Sequence, residues 1–141
     1  MNTMKTAEYY VVDVTEHVNE KVSEHFTISE FKCTDNSRVV VLNKALIDVL
    51  ETIRKHFNKP VIINSGYRTV AYNSQLKNSS PKSQHTHGNA ADIRIPGITP
   101  LALYNFINSF YRNSLGLGLY DTFVHVDVRD GKGRWDYRSK K

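Results

Sequence analysis

Two short apolar runs late in the chain restrict its possible folds more than any other feature. Residues 115–120 and 123–128 each have the length and composition of a strand, and only Asp121 and Thr122 separate them. So short a connection is typical of a β-hairpin. Since helical and strand-like segments are interleaved before this hairpin, the sequence predicts a single α+β domain with a small antiparallel sheet and flanking helices.

Two segments have the periodicity of helices. Across residues 39–57 the apolar side chains recur at steps of three and four, which would bury one face of a helix. Polar residues at 35–37 would begin this helix, and residues 58–60 would end it. A threonine followed by a proline opens residues 99–110, which predicts a second helix.

Shorter segments complete the expected elements. Thr27 and Glu30 have the spacing of a capping box, which predicts a short helical turn at that point. Residues 61–64 and 90–95 are β-prone and are interpreted as strands. Residues 9–14 are also β-prone, and they could form an early strand or a loosely attached arm.

The length of 141 residues fits one domain with its own core. We assign residues 25–135 to this domain, residues 1–24 to an N-terminal arm or first strand, and residues 136–141 to a basic C-terminal tail. The formal net charge of +5 favours approach to a polyanion without choosing which one. Much of that charge lies in residues 129–141, which we interpret as a solvated terminus.

The single cysteine bears on disulfides, and the N-terminal segment bears on export and on insertion into a membrane. Cys33 has no partner for an intramolecular disulfide, and we expect it to be a small buried side chain. Residues 1–14 contain no apolar run of signal-peptide length, and residues 9–12 are too short to span a membrane. We therefore expect a protein made in the cytoplasm without an export signal and without a transmembrane segment.

Three residues have the chemistry of a zinc site. His85 and Asp92 flank a segment of small residues that includes Gly88, and strand alternation places His125 and Asp127 on one face of the last predicted strand. Imidazole nitrogen and carboxylate oxygen are ligands that Zn²⁺ accepts, and three protein ligands leave an open position for water. The sequence therefore predicts that His85, Asp92 and His125 bind a catalytic zinc ion.

Three motifs, in this order, carry a family resemblance. They are Ser65-Gly66-Tyr67-Arg68, then Ser83-x-His85-x-x-Gly88-x-Ala90-x-Asp92, and then His125-x-Asp127. Together they resemble the zinc D-alanyl-D-alanine carboxypeptidase family, which includes phage endolysins and cell-wall endopeptidases and has the hedgehog/DD-peptidase fold. The resemblance covers about residues 25–135.

The resemblance implies a zinc metallopeptidase that cuts the stem peptides of bacterial peptidoglycan. A water activated by zinc would attack the peptide carbonyl, in a D-Ala-D-Ala carboxypeptidase or in an endopeptidase. Arg68 would anchor the substrate or, alternatively, form an ion pair with Asp92. Ser83 would contact substrate or cap its turn, and Tyr67 would line the cleft or pack beneath it.

The general base departs from the family pattern. Many relatives have a Glu or Asp three residues before the last zinc histidine, where this chain has Thr122. Asp127 is our first choice, either as the base or as the carboxylate that orients His125, and Asp121 is our second. His87 would be a partly exposed polar residue and not a ligand, and Trp135 would close the core or stack on sugar rings.

The expected partner is bacterial peptidoglycan. We expect no nucleic-acid binding, because no basic face with interleaved aromatic residues is evident. Without an export signal, a protein that acts on the wall would fit a phage or prophage lysis protein or a virion component. The alternative is a non-catalytic zinc-binding domain of the same fold that recognises a wall or protein partner.

Overall fold

The computed structural model describes residues 9–17, 19–35, 37–76 and 83–139. This part of the chain contains a two-stranded sheet, a five-stranded sheet and three α-helices. The strands are β1 Tyr9–Asp13, β2 Val39–Asn43, β3 Ile62–Ser65, β4 Ala90–Arg94, β5 Leu115–Leu119, β6 Val124–Asp127 and β7 Lys132–Asp136; the helices are α1 Lys44–Phe57, α2 Val70–Ser74 and α3 Pro100–Phe110. The α+β architecture expected from the sequence is confirmed.

The first helix begins later than its periodicity predicts. Residues 39–43 form β2, which pairs antiparallel with β1, so the helix covers only the second part of the predicted range. Asn43 is the N-cap, and its side chain accepts a hydrogen bond from the backbone N–H of Ala45 at 2.8 Å. The predicted start at residues 35–37 is therefore wrong, and position 36 lies outside the described residues.

The β-prone segment near the N-terminus is a strand, which answers the question that the sequence left open. Residues 1–8 and 18, which belong to the same predicted arm, lie outside the described residues. The capping box is confirmed, because the Glu30 side chain accepts a hydrogen bond from the backbone N–H of Thr27 at 2.8 Å. It begins a 3₁₀ turn at Ile28–Phe31.

The larger sheet has the strand order β3-β4-β6-β5-β7. The first four strands pair antiparallel, and β5 and β6 form the predicted hairpin. One face is apolar and lies in the core: Ala91 and Ile93 of β4, Val124 and Val126 of β6, and Leu117 of β5. Leu103 and Ile107 of α3 and the buried face of α1 belong to the same cluster. The other face is left for the polar residues of these strands.

The basic segment near the C-terminus is not simply a solvated terminus. Residues 132–136 form β7, which adds to β5 in parallel, so the sheet is mixed and not purely antiparallel. The Arg134 guanidinium donates hydrogen bonds to the carbonyl oxygens of Tyr111, Ser114 and Leu115 at 2.7–2.9 Å, just beyond α3. Residues 140 and 141 of the predicted tail lie outside the described residues.

Two smaller expectations concern burial and membranes. Cys33 is buried, as predicted. Among the helices described, none combines the length and the apolar character needed to cross a bilayer.

Candidate metal centre

The polar face of the sheet carries a single row of residues that runs across all five strands. Strand pairing places Ser65 beside Asp92, Asp92 beside His125, His125 beside Gly118 and Gly118 beside Trp135. Because paired residues project from the same side of a sheet, this row brings two predicted metal ligands together although 33 positions separate them in the chain. The alternation that predicted one face for His125 and Asp127 is confirmed.

His85 reaches this row from a 3₁₀ turn at Gln84–His87, directly before β4. Gly88 ends the turn with a φ of 74°, and a Cβ at this position would collide with the carbonyl oxygen of Val41. The His85 backbone carbonyl accepts from the Arg68 N–H at 3.0 Å, and its Nδ1 faces the Gly66 carbonyl oxygen at 2.8 Å. The turn and the loop after β3 therefore hold His85 in one orientation.

Three donor atoms converge at the centre of the site. His85 Nε2 lies 3.3 Å from Asp92 Oδ1, and His125 Nδ1 lies 3.0 Å from the same oxygen. All three atoms lie within 4.8 Å of one another, and all three side chains are buried. Ligand atoms on a tetrahedral zinc ion are roughly 3.3 Å apart at the usual bond lengths. The spacing therefore fits a metal ion.

In each histidine, the ring nitrogen that does not face Asp92 supports the same conclusion. His85 Nδ1 faces a carbonyl oxygen, which only accepts, so Nδ1 carries the proton and Nε2 offers its lone pair. His125 faces a carboxylate at each nitrogen: Nε2 lies 2.7 Å from Asp127 Oδ2, and Nδ1 lies 3.0 Å from Asp92 Oδ1. The shorter contact favours the proton of the neutral ring on Nε2, which leaves the lone pair of Nδ1 for a metal. Histidines that ligate metals are held in this way by partners on their second nitrogen.

Electrostatics in the site favour ionised carboxylates. Burial opposes the charge on Asp92, but its contacts with the His125 and His85 rings hold its pKa well below its usual range. Burial likewise opposes the charge on Asp127, but Arg129 and His125 keep the pKa of this carboxyl low. For His125, burial is outweighed by Asp127 and Asp92, which raise its pKa. The two carboxylates therefore make the surroundings of His125 negative, which favours positive charge at this place, whether a proton on the ring or a metal ion.

Asp127 lies on the side of the His125 ring that faces away from Asp92. It is fully buried, and it accepts from five donor groups: His125 Nε2, the backbone N–H of Gly116, and the backbone N–H, Nε and Nη2 of Arg129. This position favours the second of the two predicted roles, the orientation of His125, over that of general base.

Asp121, the second candidate for the base, lies in the turn between β5 and β6 and is exposed. Its carboxylate accepts from the backbone N–H of Ser139 at 2.9 Å. Its assignment as a base stays a prediction.

Arg68 contacts the metal-ligand group directly. Its Nη2 lies 3.4 Å from Asp92 Oδ2, while Nε and Nη1 donate to Ser65 Oγ and Asn73 Oδ1 at 3.2 and 3.3 Å. The ion pair with Asp92, one of the two predicted roles, is therefore present. A role in anchoring substrate stays a prediction; the Arg68 side chain is 15% exposed.

The remaining predicted residues lie around this centre. Ser83 caps the 3₁₀ turn, because its Oγ accepts from the His85 N–H at 3.2 Å. Tyr67 is half-buried against the core, and burial raises the pKa of its phenol. His87 is exposed and does not belong to the ligand group, as expected.

Sequence reasoning missed the side of the site formed by β7. The Trp135 ring centroid lies 5.2 Å from that of His125, and the indole occupies the space above Gly118. Trp135 Nε1 donates to the Tyr120 hydroxyl at 3.0 Å. The alternation of leucine and glycine in β5 was the one signal in the sequence for a large side chain packed across this strand.

The sequence of the chain matches a family of known proteins. The family model described as Peptidase M15 matches residues 24–127, which is more than half of the chain. Peptidoglycan L,D-endopeptidase MepK of Escherichia coli K12 is 36% identical over 74 residues, 50% of this chain and 41% of that protein. The proteins of the same name from Escherichia coli O157:H7 and Shigella flexneri match equally well. The chain thus matches less than half the length of these relatives.

Proposed function

Since the chain belongs to the peptidase M15 family, we propose that it is a zinc-dependent peptidase that hydrolyses the stem peptides of bacterial peptidoglycan. The observation that carries this proposal is the convergence of His85 Nε2, Asp92 Oδ1 and His125 Nδ1. The other side of each of these side chains contacts a partner: the Gly66 carbonyl, Arg68 and Asp127, respectively. The similarity to proteins named as peptidoglycan L,D-endopeptidases supports the wall as the place of action and an endopeptidase over a carboxypeptidase.

A zinc ion at this position would supply a Lewis acid and would lower the pKa of a bound water to about 7. His85, Asp92 and His125 would hold it, and Asp127 would keep the His125 ring in the orientation that exposes Nδ1. The Arg68 guanidinium, at the edge of the same group, would bind the carbonyl or a carboxylate of the peptide. Ser83 and Tyr67 would support this side of the cleft.

The test is an incubation of the protein with purified sacculi, followed by identification of new peptide termini by mass spectrometry. We expect products that disappear when a chelator is added and return with zinc. The variant His85→Ala should lose activity by several orders of magnitude, because it removes a ligand. The exposed His87, two positions away, provides a matched control, and His87→Ala should keep its activity. Absence of a chelator-sensitive product from every wall type would contradict the proposal.

A non-catalytic zinc-binding domain is the second candidate, and one observation favours it. Asp127, the first candidate for the base, is fully occupied by five donor groups on the far side of His125. Wild-type protein that binds both zinc and sacculi but releases no peptide would support this candidate. Loss of turnover in Asp121→Ala, with zinc binding retained, would instead identify Asp121 as the base of an enzyme.

A further inference from the structure

We propose that Arg129 is a positioning residue for the metal centre: it fixes the Asp127 carboxylate, and Asp127 in turn fixes the tautomer in which His125 presents Nδ1. This inference rests on the proposed metal site. Arg129 is not itself a ligand. It contacts Asp127, Asp127 contacts the His125 ring, and His125 contacts Asp92. None of the sequence motifs includes it.

The contact between Arg129 and Asp127 is a two-point ion pair. Arg129 Nε lies 2.8 Å from Asp127 Oδ1, and Nη2 lies 2.7 Å from Oδ2. The backbone N–H of Arg129 adds a third bond to Oδ1 at 3.1 Å. A planar fork of donors sets both the position and the plane of a carboxylate, which a single point charge does not do.

The plane of this carboxylate determines what His125 can do. Asp127 Oδ2 accepts from Arg129 Nη2 and from His125 Nε2, both at 2.7 Å, so one oxygen connects the two side chains. The other ring nitrogen, Nδ1, faces a second carboxylate, since it lies 3.0 Å from Asp92 Oδ1. The shorter contact with Asp127 therefore favours the proton of the neutral ring on Nε2 only while Asp127 holds this orientation. Without the fork, Oδ1 would keep only its two backbone N–H partners and Oδ2 would keep only His125, so Asp127 would be held less firmly. The Nδ1-protonated tautomer, which has no lone pair on Nδ1 for a metal, would then gain population.

The surrounding fold leaves space for Arg129. A Cβ at Gly116 would collide with Arg129 Nε and with both oxygens of Asp127, and a Cβ at Gly133 would lie 3.0 Å from Arg129 Nη1. The guanidinium also lies over the Trp135 ring, 5.2 Å from its centroid. Residues of β5 and β7 thus pack against the ion pair, in which Asp127 is fully buried and the Arg129 side chain is 32% exposed.

The chain contains a matched control for this contact. Asp136 and Arg138 have the same spacing as Asp127 and Arg129, and they form the same fork, with Nε–Oδ1 at 2.9 Å and Nη2–Oδ2 at 2.7 Å. Asp136 is partly exposed, whereas Asp127 is fully buried beside His125. A substitution of Arg138 therefore removes an equivalent charge and fork away from the metal centre.

The experiment measures zinc affinity by competition with a chromogenic chelator. We expect Arg129→Gln to weaken zinc binding about tenfold to a hundredfold, the usual range for partners of metal ligands, and Arg138→Gln to change it less than twofold. Arg129→Lys, which keeps the charge but not the fork, should lie between the wild type and Arg129→Gln. Long-range ¹H–¹⁵N spectra of the metal-free proteins should show neutral His125 protonated on Nε2 in the wild type and as a mixture of tautomers in Arg129→Gln.

Three results would overturn the inference: unchanged zinc affinity in Arg129→Gln, an equal loss in Arg138→Gln, or an unchanged His125 tautomer. If Arg129→Gln does not fold, the affinity and tautomer of Arg129→Lys decide. If the wild-type protein binds no zinc, the proposed function fails, but the tautomer of His125 still tests the role of Arg129 separately. A wild-type ring protonated on Nδ1 would contradict it in that case too.

Discussion

At the scale of single residues, the metal centre depends on two glycines as well as on its ligands. Gly116 and Gly118 alternate with leucines along β5, so both face the polar side of the sheet. Gly116 makes room for the Asp127–Arg129 ion pair, and Gly118 makes room for the Trp135 indole. A methyl group at either position would therefore disturb a different neighbour of His125.

We expect the variants Gly116→Ala and Gly118→Ala to separate these two effects. Gly118→Ala should displace the indole and shift its fluorescence, which is specific because Trp135 is the only tryptophan. Gly116→Ala should weaken zinc binding and shift the emission less than Gly118→Ala does, because its methyl group meets Asp127 and Arg129 and not the indole itself. Each change should lower the free energy of unfolding by about 1–3 kcal/mol, the usual cost of overpacking. Identical emission spectra for wild type and Gly118→Ala would contradict this packing.

At the scale of secondary-structure elements, one carboxylate joins the segment before the first 3₁₀ turn to α1. Glu51 of α1 accepts from Ser23 Oγ at 2.6 Å, from the backbone N–H of His25 at 2.8 Å and from His25 Nδ1 at 2.7 Å. Burial acts to raise the pKa of Glu51, but these hydrogen bonds outweigh it and lower the pKa below its ordinary value. The ionised form therefore stabilises the folded state.

This contact predicts a pH-dependent contribution to stability. A group whose pKa is lowered on folding stabilises the protein fully above its unfolded pKa, about 4.3 for glutamate, and loses this effect as the pH falls through the folded pKa. At pH 7, Glu51→Gln should lower the free energy of unfolding by about 1 kcal/mol, and the difference should shrink below pH 4. Urea denaturation at both pH values measures it. The exposed Glu16 serves as a control, and an equal effect of Glu16→Gln would contradict the prediction.

The elements also show where sequence patterns are sufficient. The hairpin of β5 and β6 and the cap of α3 at Thr99 depend on neighbouring residues, and both were predicted correctly. Residues 39–43 look helical because their apolar positions continue the spacing of α1, but they pair with β1, a partner about thirty residues earlier. Local periodicity contains no information on such a partner.

At the scale of the whole molecule, the candidate metal ligands come from separate parts of the fold. His85 lies in the turn before β4, Asp92 in β4 and His125 in β6. The ligand types and their faces could be predicted from spacing and alternation. The contribution of Trp135 could not, because it depends on the parallel addition of β7, which no local pattern specifies. The contribution of Arg129 could not either, because a spacing of two residues does not show that the side chains form a fork beside His125.

Because these ligands meet only in the folded protein, zinc should stabilise the whole domain. At a free zinc concentration one hundred times the dissociation constant, the free energy of unfolding should rise by about 2.7 kcal/mol. Thermal denaturation with zinc and with chelator measures this difference. The shift should vanish in His85→Ala and persist in His87→Ala, and equal midpoints with and without zinc in the wild type would contradict the proposed centre.

The row from Ser65 to Trp135 also bears on how the protein folds. Its five residues lie on five strands, so the row is complete only when every strand of the larger sheet is paired. Pairing of distant segments is slow, because the loops between them must close before their contacts form. The hairpin of β5 and β6 contributes His125 alone and cannot retain a metal ion by itself. Recovery of metal binding during refolding therefore reports the joining of β4 to β6, and a nascent chain cannot acquire its centre before β6 has been synthesised.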